Sequence, residues 1–164
     1  MGPQSRDHER KVMGRIVSIN QSRKKGTPKS PVPEGILVAG LGLQNDAHAG
    51  PGERQVSLLM VESIHRAADD LSGRQETNTV QLVPGIYAEN FTTEGIDLSD
   101  LALGDELRVG DTIRLRVTRI GKECHTGCAI YRKVGDCIMP REGIFCEVLE
   151  GGPVHTGDSI DRIN

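Results

Sequence analysis

Apolar and polar residues alternate strictly over Thr112-Ile-Arg-Leu-Arg-Val-Thr, with Ile113, Leu115 and Val117 on one parity. That is the period-2 pattern of a half-buried strand. The alternation then breaks. Arg119 falls on the apolar parity and Ile120 on the polar one, so the strand either ends there or is re-aimed by a bulge just before Cys124. Gly14 to Asn20 and Gln55 to Leu59 read as further strands, and a second β region begins at Val80 to Val83, with Pro84-Gly85 as the turn that follows. One stretch carries a different period: Val61, Ile64, Ala67, Ala68 and Leu71 recur at helical spacing and stop at Ser72-Gly73. The outer face of that helix (Glu62, His65, Arg66, Asp69, Asp70) reads as ordinary solvated surface.

A short turn motif punctuates the second half of the chain: Gly104-Asp-Glu-Leu, Gly110-Asp-Thr-Ile, Gly135-Asp-Cys-Ile and Gly157-Asp-Ser-Ile. Glycine supplies positive φ, aspartate bonds to nearby backbone, and the apolar residue that follows starts a buried alternation. The irregular spacing rules out a solenoid repeat, and the expected architecture is a closed or nearly closed β-barrel with a few short helices. Gln21 to Pro33 reads as a loop, because Pro28, Pro31 and Pro33 push their preceding residues out of helical conformation. Its Arg23, Lys24, Lys25 and Lys29 have two readings: a solvated basic loop, or a clamp for a phosphate-bearing ligand. Asp46, His48 and Arg54 fall on a glycine-rich loop expected at the surface, where an acid, an imidazole and a guanidinium are better placed for a ligand than for packing.

Composition narrows the classes. At 164 residues the chain is expected to form one domain, with residues 1–13 as a flexible extension and 14–164 as the folded unit. A net charge of −3 and only two Tyr, two Phe and no Trp argue against nucleic acid as a partner. No apolar run approaches the length of a membrane span, and the polar N-terminus has no signal-peptide core, so a cytoplasmic protein with no membrane association is expected.

In that compartment cysteines are expected as thiols, and all four (Cys124, Cys128, Cys137, Cys146) lie in the last third of the chain. Cys137 and Cys146 sit among Ile, Met and Phe and read as small buried hydrophobes. Cys124 and Cys128 sit among Gly, His, Thr and Lys, with Lys122, His125, Arg132 and Lys133 near enough in sequence to favour thiolate. The cysteine spacing does not fit paired zinc knuckles, which leaves a thiol redox or zinc-binding module as a weaker alternative reading of these thiols. No histidine is singled out as the base of a cysteine hydrolase, and no phosphate-binding glycine loop is present.

The run from Gly104 to Tyr131, GDELRVGDTIRLRVTRIGKECHTGCAIY, completes a larger pattern. Together with Ala88-Glu-Asn-Phe-Thr-Thr-Glu-Gly-Ile, Asn45-Asp-Ala-His-Ala-Gly and Arg54-Gln-Val-Ser-Leu-Leu, it resembles a stand-alone MOSC domain, the molybdenum cofactor sulfurase C-terminal domain. The resemblance runs from about Gly14 to Ile163. It implies a β-rich barrel whose reactive residue is Cys124, either carrying sulfur as a persulfide or ligating molybdenum held by the pterin cofactor; both roles suit a soft thiolate. It also implies that Lys29, Asp46, His48, Arg54 and Asn90 surround the cofactor or the sulfur acceptor, with Lys29 and Arg54 on its phosphate and Arg141 as a further candidate. The pyridoxal-phosphate domain of the full cofactor sulfurase and the extra β domain of the amidoxime-reducing relatives have no counterpart in this sequence. The implied partners are therefore a cysteine desulfurase or a protein that handles the molybdenum cofactor. For the alternative, a molybdenum-dependent reductase of N-hydroxylated substrates, the partner is a separate electron donor. Cys128 could resolve a persulfide, co-ligate a metal or pack.

Overall fold

A computed structural model describes residues 14–73, 82–121 and 137–163. Eleven strands occur among them: β1 (Gly14–Gln21), β2 (Ser30–Val32), β3 (Glu34–Val38), β4 (Gly42–Leu43), β5 (Val56–Met60), β6 (Phe91–Glu94), β7 (Glu106–Val109), β8 (Ile113–Ile120), β9 (Ile144–Glu150), β10 (Gly152–His155) and β11 (Ser159–Ile163). Two helices accompany them, α1 (Val61–Gly73) and the single turn α2 (Met139–Glu142), with a 3₁₀ turn at Leu98–Asp100. Seven strands close on themselves in the order β11-β7-β8-β9-β5-β6-β1, because β1 pairs back onto β11; β2 hangs from β1, and β10-β3-β4 form a separate small sheet. Closure leaves the ring itself without an unpaired edge.

The expected strand before Cys124 is β8, and its alternation is realised: Ile113, Leu115 and Val117 all enter the barrel core. The break at Arg119 is a register shift against β9 between Val117 and Arg119, so a bulge accounts for it. β1 contains a second shift that the pattern did not announce. Pairing with β6 slips between Ile16 and Ser18, so Ile16 and Ile19, three residues apart, both reach the core. A bulge restores inward aim after an odd number of residues.

The barrel is covered on one outer face as well. Leu59 and Phe145, on the opposite parity from the core residues Leu58, Ile144 and Cys146, pack with Ile64 of α1 and with Ile86, Tyr87, Ala88, Cys137, Ile138 and Met139. This second cluster is why β5 is buried on both sides. α1 covers the expected residues and presents Val61 and Ile64 inward.

The three described Gly-Asp turns have φ of 90° at Gly104, 59° at Gly110 and 97° at Gly157, and they lead into β7, β8 and β11. Asp105 and Asp158 accept the backbone N–H groups of Ala102 and His155, three residues earlier, and so close each turn from its far side; Gly135 lies outside the described residues. Three expectations are corrected. Gln21 to Pro33 is not all loop, since Ser30–Val32 pairs with β1. Leu82 and Val83 form no strand, and among the described residues after α1 the next strand starts at Phe91. The glycine-rich loop does not keep Asp46 at the surface: it is 7% exposed, because the residues facing it are polar enough to bury a carboxylate.

Candidate functional site

Three of the expected residues meet. Lys29 immediately precedes β2, and its backbone N–H donates to Gly85 O (2.8 Å). Its Nζ lies 2.8 Å from Asp46 Oδ1, 3.0 Å from Ser22 Oγ and 3.1 Å from His48 Nδ1. Asp46 follows Asn45, a non-glycine residue in left-handed conformation at φ 71°. Its Oδ1 also accepts the Ser22 N–H (3.0 Å), and its Oδ2 accepts the His48 N–H (3.0 Å). Burial pushes the Asp46 carboxyl upward, but the Lys29 ammonium and the backbone N–H groups of Ser22 and His48 outweigh it, holding the group well below the usual carboxylate range. The Lys29 and Asp46 side chains are both fully buried, whereas that of His48 is 23% exposed.

Asn90 makes its side-chain hydrogen bonds in the barrel wall. Its Oδ1 accepts from Ser57 N (3.0 Å) and Ser57 Oγ (3.2 Å), and its Nδ2 donates to Asn20 O (3.2 Å), so both ends of the amide are engaged in joining β1, β5 and β6. Beside it Glu89 is completely buried. Its Oε2 accepts from Gly85 N (2.9 Å) and Thr92 Oγ1 (2.6 Å), while Oε1 has no hydrogen-bond partner. Burial raises the Glu89 pKa, and the Gly85 and Thr92 donors offset only part of that. Glu89 thereby braces the turn whose Gly85 carbonyl holds Lys29.

Arg54 and Arg141 flank the exit of β8. Arg54, at the far end of the loop that carries Asp46 and His48, is exposed and lies 5.8 Å above the Phe145 ring. Glu53 beside it accepts the Thr118 hydroxyl (2.6 Å) through its carbonyl, tying the loop to β8. Beyond β8, Gly121 adopts φ 69° and donates its N–H to Gly143 O (2.7 Å), and a Cβ there would stand 2.4 Å from Pro140 O. Arg141, exposed, follows Pro140 in α2. One rung of paired residues, Ile19-Phe91-Leu58-Ile144-Ile120, links the end of β1 to the end of β8.

Cys124 and Cys128 lie outside the described residues, between Gly121 and Cys137. The other two cysteines are buried as expected, Cys146 in the barrel core and Cys137 in the outer cluster. Burial pushes the Cys146 thiol far up, which suits a packing role. Because these two thiols belong to different clusters, they are not presented together as a pair of metal ligands. Ser22 and Glu89 were not visible as site residues in the sequence. Serine at a strand end and glutamate before a strand carry no pattern of their own.

The matching family model is the MOSC domain, over residues 44–161, and the chain belongs to that family. Solved structures are similar across nearly its whole length. The YuaD protein from Bacillus subtilis superposes with a TM-score of 0.72 at 16% identity, covering 90% of this chain and 94% of that one. YiiM from Geobacillus stearothermophilus gives 0.68 at 20% identity (92% and 75%), and YiiM from Escherichia coli 0.65 at 20% (92% and 70%). At these identities the likeness is one of fold. No curated protein matches the chain in sequence. Among the described residues no helix is long and apolar enough to cross a membrane.

Proposed function

We propose that this MOSC domain binds the molybdenum cofactor at the loops around β1, β5 and β8, and carries sulfur on Cys124 as a persulfide for delivery to a metal-sulfur centre. The observation that carries the reading is the prebuilt Lys29-Asp46-His48 cluster, whose Asp46 and His48 stand on the loop that reaches Arg54 and the exit of β8. The donor set suits an anionic group. The buried ion pair cancels its own charge, so the exposed Arg54 is the cation offered to a phosphate, with the exposed Arg141 as a further candidate and the His48 ring as a polar contact. When bound, the cofactor supplies a soft metal suited to thiolate sulfur.

The protein's own chemistry is then thiol exchange. The Cys124 thiolate attacks the sulfane sulfur of a desulfurase persulfide; a new S–S bond forms on Cys124, the old one breaks, and the desulfurase thiolate leaves. A cysteine desulfurase is the implied partner. In the alternative, a reductase of N-hydroxylated substrates, Cys124 ligates the metal permanently and an electron donor replaces the desulfurase.

The test is intact mass spectrometry with metal analysis on protein from a host that makes the cofactor, before and after incubation with a cysteine desulfurase and cysteine. The reading expects a gain of one sulfur atom that is absent in Cys124→Ser. Stoichiometric molybdenum lost in the same variant, with no sulfur gain in wild type, favours the reductase. Neither change defeats both.

A further inference from the structure

An aspartate beside a histidine ordinarily takes the Nδ1–H, leaving Nε2 as an acceptor and base. Asp46 and His48 do not make that arrangement. Asp46 Oδ2 is 3.8 Å from His48 Nδ1, too long for a hydrogen bond, while Lys29 Nζ is nearer at 3.1 Å. An ammonium has only protons to give, and its ion pair with Asp46 at 2.8 Å keeps it charged. The carboxylate is engaged elsewhere: Oδ1 accepts from Lys29 and from Ser22 N, and Oδ2 from the backbone N–H of His48 itself.

We propose that Lys29 is a positioning residue that turns His48 from a base into a fixed hydrogen-bond donor: standing between Asp46 and the ring, it leaves Nδ1 with its lone pair and puts the ring proton on Nε2. Nε2 lies across the ring from the buried pair, and the ring keeps part of its surface exposed. The site thus offers an N–H to an anionic acceptor atom, the oxygen or sulfur of the ligand, and takes no proton from it. The inference deepens the functional reading above and rests on it for the identity of the acceptor. The ring tautomer itself can be measured without any ligand.

The experiment is a long-range ¹H–¹⁵N correlation spectrum of the histidine rings in the full-length protein at neutral pH, without cofactor or desulfurase, with His48 assigned by its loss in His48→Gln. Wild type is expected to show His48 Nδ1 unprotonated and Nε2 protonated. Lys29→Met is expected to shift the proton to Nδ1, toward Asp46. A protonated Nδ1 in wild type overturns the proposal even if Lys29→Met does not fold. So does an unchanged ring in a folded Lys29→Met. If the spectra are as stated and Cys124 never gains sulfur or molybdenum, the functional reading fails and the positioning role stands.

Discussion

Lys29 Nζ and Asp46 Oδ1 lie 2.8 Å apart with neither side chain exposed, although the residues are 17 positions apart in the chain. Removing one member leaves the other charged and buried, so Asp46→Asn and Lys29→Met should each lower stability by about 3 kcal/mol in denaturant titrations. The pair also sets an acid limb. A carboxyl held below its ordinary value of 3.8 contributes stability above that pH and loses it as pH falls toward the folded value. Thermal melts should show wild type losing its advantage over Asp46→Asn below about pH 4; an advantage independent of pH contradicts this.

Glu89 predicts the opposite slope. Its pKa is raised above 4.5, so its contribution is complete below that value and fades as pH rises through the folded value. Glu89→Gln keeps a carbonyl oxygen for the Gly85 N–H and Thr92 hydroxyl and carries no charge. Its melting temperature relative to wild type should rise with pH from mildly acid to alkaline conditions. Glu89→Ala, which strands both donors, should cost about 1–3 kcal/mol. A Gln variant that tracks wild type at every pH means the carboxyl does not titrate in that range.

Gly121→Ala probes the exit of β8. Alanine there meets both a φ of 69° and the Pro140 carbonyl at 2.4 Å. Strain of this kind costs about 1–3 kcal/mol, and relieving it moves α2 or the start of the segment that carries Cys124. Sulfur loading should fall although Cys124 is intact. Gly104→Ala, with φ 90° but nothing within 4 Å of the added carbon, is the control: a comparable loss of stability with loading unchanged.

Arg54→Ala should separate binding from stability. The guanidinium over Phe145 is exposed, so its loss costs at most about 1 kcal/mol in a melt. Cofactor retained through purification should fall well beyond what that stability change explains. Retention equal to wild type removes Arg54 from the phosphate.

The elements that were legible share a short range. β8 was visible because Ile113, Leu115 and Val117 alternate, α1 because Val61 and Ile64 repeat at helical spacing, and the Gly-Asp turns because their chemistry spans only a few residues. Cys137 and Cys146 were recognisable as packing residues from their apolar neighbours. Lys29 and Asp46 were nameable as site residues from the family pattern, but neither their burial nor their contact with each other could be read from the sequence.

What the sequence determined by itself, then, is the β-rich class, the main helix, the turn positions and the family, all carried by local periodicity or by motifs in fixed order. The tertiary structure decided the closure of β1 onto β11, the bulge that brings Ile16 and Ile19 to one face, the outer cluster that buries β5 twice, and the burial of Asp46. The physical reason is that each of these depends on a partner far along the chain, as when Asp161 accepts the Gly14 N–H from 147 residues away. A polar side chain's environment is set by such partners, and its own neighbours in sequence say little about whether it meets water, a ligand or an opposite charge.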